Sequence, residues 1–405
     1  VTHTSSSTPR PSENPAGIGR RGLFAGAALA GIAAAGSSLL TGGAAHAEPV
    51  PATRGGAASP LRFPRGGKAR IVQFNDTQDG HLTDRRTIQL MEKVLDTEKP
   101  LFALINGDVV NGDPATEREA KQAYNNVVRP MEERGIKWAI TFGNHDEDAV
   151  ARTGMTEQRV VDWIHDVYEH NLNPAIDRRI AGQSNGQILI RSSRRNEPAF
   201  GIWLLDSNRY APETIGGQSR DGLMNYDWIR FSQNRWYYET SVATEKRYGR
   251  KIPSLMFFHI PLWEHHHMWY GTQFGSDEAT HPAAAEKHGI VGEKHEAVYV
   301  GAWNSGLYSL LQERGDVRGV YCGHDHINTY HGDYYGIELG YGPGTGFGTY
   351  GLGGAEDHRL RGARVFELDE NAEGVYVATR TVFARDLGID TSPGSRPIDR
   401  PYPLP

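Results

Sequence analysis

The chain has 405 residues, 38% of them hydrophobic and 23% charged, so it can build a packed core, which excludes a disordered chain and a polytopic membrane protein. Its 48 glycines and 22 prolines follow no three-residue period, which excludes collagen and points to an enzyme rich in loops. A net charge of −6 argues against a general nucleic-acid binder, which needs a basic surface, and no stable nucleic-acid partner is expected.

Residues 1–47 are foreign in composition to the rest. A polar Ser/Thr/Pro lead precedes Arg20-Arg21-Gly22-Leu23-Phe24, and residues 25–40 are almost only Ala, Gly, Leu, Ile and Ser. This is the profile of a cleaved export signal, with the cut expected after Ala47 in the small-x-small sequence Ala45-His46-Ala47. The paired arginines are similar to a twin-arginine signal, which exports proteins already folded, often with a metal inside; a secreted or extracytoplasmic protein is expected. The apolar stretch is too weak for a lasting anchor, so the mature chain should carry no membrane span. Cleavage removes Arg10, Arg20, Arg21 and Glu13, leaving 40 basic against 48 acidic residues, or −8. The lone cysteine, Cys322, permits no internal disulfide and reads as a small buried apolar residue.

Residues 48–67, mostly Pro, Gly, Ala and Arg, read as a linker, and the fold is expected to start near Lys68. From there a strand (ARIVQFN), a helix (83–99), a strand (LFALIN), a helix (115–135) and a strand (KWAITF) alternate, the β-α-β-α-β sign of a layered α/β sheet. A helix over 157–169, strands at QILIRSS and AFGIWLLD, a helix over 226–240 and the strand SLMFFH suggest a second sheet half. Residues 264–300 read as a long loop rich in His, Trp and Gly that forms part of a site. A helix (NSGLYSLLQERG), a strand (VRGVYCG), a closing hairpin (ARVFELDE with GVYVATRTVF) and a Pro-rich tail from Leu387 complete the chain.

The polar residues fall at strand ends: Asp76 after IVQFN, Gly107-Asp108 after LFALIN, Gly143-Asn144-His145-Asp146 after KWAITF, His259 after SLMFF and Gly323-His324-Asp325-His326 after VRGVYC. Carboxyl ends of strands converge on the ligand crevice of an α/β sheet, so these residues can meet. Asp, Asn and His together suit borderline divalent or trivalent metals such as Fe, Mn or Zn. Singly each is ordinary, since an Asp after a strand is commonly a helix cap and a Gly-Asp pair a turn. Their joint occurrence carries the argument.

The motifs GD (107–108), GNHD (143–146), His259 in FFHIPL and GHDH (323–326) resemble those of the calcineurin-like metallophosphoesterases, over about residues 69–380. The segment from NSGLYSLL to GTGFGTYG looks more narrowly like the subgroup related to purple acid phosphatases. The resemblance implies a four-layer α/β/β/α sandwich and hydrolysis of a small-molecule phosphate ester by a hydroxide on two metal ions. Position by position it implies Asp76, Asp108 and His326 around one metal, and Asp108, Asn144, His259 and His324 around the other, with Asp108 bridging. His145 matches the family histidine that donates a proton to the leaving alkoxide.

One departure stands out: the family usually shows Asp-x-His at the first strand, where this chain has Asp76-Thr77-Gln78. Purple acid phosphatases place a tyrosine three residues after the bridging Asp, and here that position is Asn111. Gln78 through its carbonyl, a water, or His81 through a shifted loop remain open as the replacement. The leading expectation is a phosphomonoesterase. Its rivals are a phosphodiesterase acting on nucleotides or lipid headgroups, with the segment 263–270 stacking a base or facing lipid, and a metal-binding protein without turnover. His331 reads as a surface histidine, and the glycine-rich stretch 340–354 as a tight loop shaping the site.

Overall fold

The computed structural model describes residues 61–405; the expected export signal, residues 1–47, lies outside them, as does most of the expected linker. In chain order the elements are β1 (Lys68–Phe74), α1 (Arg85–Glu98), β2 (Phe102–Asn106), α2 (Glu117–Glu132), β3 (Lys137–Thr141), α3 (Val150–Thr153), α4 (Glu157–Val167), β4 (Gly186–Arg191) and β5 (Pro198–Leu204). A small hairpin, β6 (Thr214–Ile215) and β7 (Gln218–Ser219), precedes α5 (Phe231–Tyr248), β8 (Ser254–Phe257), α6 (Trp263–Tyr270) and α7 (His281–His288). Then come α8 (Leu307–Arg314), β9 (Val317–Cys322), β10 (His331–Tyr334), β11 (Ile337–Tyr341), β12 (Gly362–Asp369) and β13 (Tyr376–Phe383).

Apart from the β6–β7 hairpin, the strands form two sheets, in the orders β13-β12-β1-β2-β3 and β10-β11-β9-β8-β5-β4. β1, β2 and β3 run parallel, as do β5, β8, β9 and β11, which explains why their sequences are nearly continuous apolar runs rather than alternating ones. The period of two still sorts the faces. Ile71 and Leu104 enter the core between the sheets with Leu255 and Tyr321, whereas Val72 and Ile105 face Leu90, Val94 and Val127 of α1 and α2. On the far side Trp203, Met256 and Val320 pack against Tyr237, Met268 and Leu311 of α5, α6 and α8. The result is the expected α/β/β/α order of layers.

Two expected elements need correction. The helix expected at Tyr226 starts at Phe231, because Tyr226 bridges to Tyr210 and Gly301 in extended chain, and Gln233 caps the Arg230 N–H. The loop expected over 264–300 contains α6 and α7; Gly271 and Gly289 end them in the left-handed conformation, and Pro282 lies in the first turn of α7. β10 and β11 form a hairpin that is not among the expected elements. Tyr335 and Gly336 turn it at φ 53° and 89°, the positive angles that a tight two-residue hairpin requires.

Both chain ends of the described region are tied down. Leu61 and Phe63, within the expected linker, are buried between the sheets and bond the backbone of Arg191. The Pro-rich tail crosses the start of α1. The Asp84 carboxylate caps the Arg86 N–H, pairs with the Arg86 guanidinium at 2.8 Å and accepts the Arg396 N–H at 2.7 Å. Arg86 is buried and donates onward to the Ser392 and Gly394 carbonyls. Removing residues 390–405 therefore deprives this ion pair of the Arg396 N–H on one side and of the Ser392 and Gly394 carbonyls on the other. A loss of about 3 kcal/mol is expected, read as a lower urea midpoint; an unchanged midpoint would show that the strap contributes nothing.

Candidate metal centre

The strand ends deliver the polar set to one place. Two groups of possible ligand atoms lie within 4.8 Å of one another: Asp108, His259 and His324, and Asp76, Asp108 and His326. Asp108 belongs to both. All five are at least nine-tenths buried. Asp76, Asp108 and His324 hold positive φ of 48°, 46° and 75°, a conformation that side chains other than Gly adopt at a cost and that clusters at functional sites. At Gly107 a Cβ would stand 2.4 Å from His259 Nδ1, so only glycine lets the β2 end pass that imidazole.

The remaining valences show what the cluster is short of. His259 Nδ1 bonds the Asn106 carbonyl at 3.0 Å, leaving Nε2 toward Asp108 Oδ2 at 3.1 Å. His326 Nδ1 meets Thr349 Oγ1 at 3.0 Å, with Nε2 3.6 Å from Asp76 Oδ1. The Asn144 NH₂ donates to Tyr210 Oη at 3.0 Å. Asp76 Oδ2, Asp108 Oδ2, Asn144 Oδ1, His259 Nε2 and His324 Nε2 are then all buried without a hydrogen-bond partner. Carboxylate, amide and imidazole lone pairs buried together without donors fit cations, and the shared Asp108 fits a dinuclear site.

Electrostatics divide the imidazoles, and His259 would have to give up its proton to ligate. Burial pushes His324 well down and His326 to about 3, keeping both imidazoles neutral as ligation requires. Burial works against a proton on His259, yet Asp108 and Asp76 outweigh it and raise that group to about 10. Burial, with the neighbouring Asp108 charge, lifts Asp76 to about 7. Burial opposes ionisation of Asp108 too, but His259 and His145 hold it below the usual carboxylate range.

His145 stands outside the ligand groups. Its N–H donates to Asp108 Oδ1 at 2.8 Å, and its Nδ1 meets Asp148 Oδ2 at 2.5 Å. Its side chain is 37% exposed, with Nε2 left for a substrate. Burial disfavours its proton, but the Asp148 hydrogen bond and the charges of Asp108 and Asp148 raise its pKa above the ordinary imidazole value. Arg209 pins this arrangement, donating to the Asn144 carbonyl at 2.8 Å and to Asp148 at 2.7 Å. The Asp146 carboxylate holds the loop from beneath, accepting the N–H groups of Val109 and Gly143 and the Tyr124 hydroxyl.

The open question at the first strand narrows. Asp79 is engaged as a turn carboxylate by the N–H groups of Gly80 and Asp84, and His81 lies 3.9 Å from Glu119, so neither joins the cluster. Asn111 bonds Asp113. Gln78 is buried, donates its N–H to the Asp108 carbonyl at 2.9 Å and leaves Oε1 without a partner. The glycine-rich stretch lies against this strand end, where a Cβ at Gly346 would stand 2.5 Å from the Asp76 carbonyl. His331 is half-buried and pairs with Glu338 across the β10–β11 hairpin. In the segment expected to stack a base or face lipid, His265, His267, Met268, Trp269 and Tyr270 are buried within α6, whereas Trp263, Glu264 and His266 stay partly exposed.

Sequence reasoning missed Asp148, Arg209 and Tyr210. Asp148 had a signal, standing three residues after His145; the other two lie more than sixty positions from their partners Asn144 and Asp148.

A family model described as calcineurin-like phosphoesterase matches residues 69–328. The chain is similar to a protein of Arabidopsis thaliana named "Probable inactive purple acid phosphatase 29", 29% identical over 80% of this chain and 78% of that one. It is also similar to "Phosphatase DCR2" of Saccharomyces cerevisiae, 30% identical over 78% of this chain and 51% of that one. Among solved structures, a dimetal phosphatase from Danio rerio is 12% identical, covering 78% of this chain and 99% of that one, with a TM-score of 0.44.

Proposed function

Because the chain belongs to the calcineurin-like phosphoesterase family and so to the phosphoric ester hydrolases, we propose that it is an exported phosphomonoesterase that releases phosphate outside the cytoplasmic membrane. Two ions from among Fe, Mn and Zn would be held by Asp76, Asp108 and His326 and by Asp108, Asn144, His259 and His324. When bound, such a pair supplies Lewis acidity toward the phosphoryl oxygens and lowers the pKa of water. His145 donates the proton to the leaving alkoxide from Nε2 while Asp148 holds Nδ1. Arg209 keeps the loop that carries Asn144 and His145 in place.

The observation that carries this reading is the pairing of orphaned buried ligand atoms with a partly exposed His145 that ligates nothing. A module that only bound metal would have no use for such a proton donor, which weighs against loss of turnover despite the name of the Arabidopsis relative. Burial of His265, His267, Trp269 and Tyr270 in α6 weighs against the diesterase, whose stacking or lipid-facing surface would be left to the partly exposed Trp263 and His266. Export is supported by Arg20-Arg21 and the apolar stretch after it, and no helix among the described residues is long and apolar enough to cross a membrane. The test is hydrolysis of p-nitrophenyl phosphate against bis-p-nitrophenyl phosphate after chelator stripping and return of Mn, Zn or Fe. A metal-restored preference for the monoester is expected; preference for the diester would reverse the assignment.

A further inference from the structure

Tyrosines from four separate loops stand around the ligand groups. Tyr210, between β5 and β6, accepts from the Asn144 amide and stacks on Tyr226 at 6.0 Å and 28°. Tyr226 sets its ring edge-on to His324 at 4.2 Å and meets Tyr299, from the segment between α7 and α8, at 6.4 Å. Tyr350, in the glycine-rich stretch, lies flat on His326 at 4.2 Å and 18°. These rings touch residues of both ligand groups, yet Tyr210, Tyr299 and Tyr350 keep 37%, 39% and 52% of their surface exposed. Structural support of the ligands does not require open faces. The adjacent cation, Arg209, is engaged by Asn144, Glu147 and Asp148, so it is not free to anchor a second anionic group.

We propose that this tyrosine collar selects phosphate monoesters whose alcohol carries a planar aromatic ring, as nucleosides do, by stacking the ring while the phosphate faces the ligand cluster. The inference rests on the monoesterase reading above. Stacking on an aromatic side chain tolerates any base, since every base offers a π face, so the selection is for planarity rather than for one nucleotide.

Two measurements on the whole chain test it. The first compares kcat/KM for adenosine 5′-phosphate and ribose 5-phosphate in the metal-loaded protein; both release a primary alkoxide, so their ratio isolates the base. A preference of about tenfold for the nucleotide is expected, equivalent to about 1.4 kcal/mol, and Tyr299→Ala should bring the ratio toward one. The second follows quenching of intrinsic fluorescence in chelator-stripped protein, where adenosine should bind and ribose should not. A ratio near one in the unaltered protein, with both esters hydrolysed, overturns the inference and leaves the monoesterase reading intact. Equal binding of adenosine and ribose overturns it without reference to turnover. Failure to release phosphate from any monoester under every metal sinks the underlying reading and this inference with it.

Discussion

Asp108→Asn is expected to strip the protein of both metals and to lower phosphate release by more than about 10²-fold, beyond the loss that follows removal of a residue merely supporting a ligand. The substitution changes little else. Asparagine has the same shape and tolerates the left-handed backbone at φ 46°, and its carbonyl oxygen can still accept the His145 N–H. What disappears is the negative charge shared by the two ligand groups, and an amide NH₂ at Oδ2 would oppose His259 Nε2, now 3.1 Å away. Metal per chain, measured by elemental analysis alongside thermal melting, separates loss of ligation from loss of fold. Two ions retained per folded chain would refute the bridging role.

His145→Ala should behave oppositely, keeping both metals while turnover falls about 10²- to 10⁴-fold, the range of general acid catalysis. The backbone N–H that bonds Asp108 survives the truncation, so the metal cluster keeps its support. The loss should be large for phenyl phosphate and small for p-nitrophenyl phosphate, whose nitrophenolate departs without a proton. Equal losses on the two esters would mean that His145 positions the phosphate instead of protonating the alcohol.

Much of this was legible in the sequence because parallel strands buried on both faces write themselves as apolar runs that stop abruptly. The residues after four of the stops, Asp76, Asp108, His259 and the pair His324 and His326, gather at the cluster, and the loop that carries the buried Asn144 bonds Asp108 through the His145 N–H. Other parts were hidden for identifiable reasons. The α6 sequence WEHHHMWY carries polar and aromatic residues on every side and shows no amphipathic stripe, since His265 is buried as fully as Met268. The order of the tail has no sequence signal because proline removes backbone donors, yet Ile398 still donates to the Thr83 carbonyl and Asn125 reaches the Pro403 carbonyl. Arg209 and the tyrosines come from loops, whose convergence is a property of tertiary structure with no local pattern to announce it.

β1 sits between β2 and β12, and Arg70 faces Glu367 across 297 positions of chain. The sheet that presents Asp76 and Asp108 is therefore closed by a strand from the far end of the fold. Loop-closure entropy must be overcome before that pairing returns any energy, so the β1–β12 pairing is expected to be a slow step of folding. No amino-terminal fragment can be a working miniature: a chain halted before β12 would carry every residue of the metal groups and still leave the edge of β1 open.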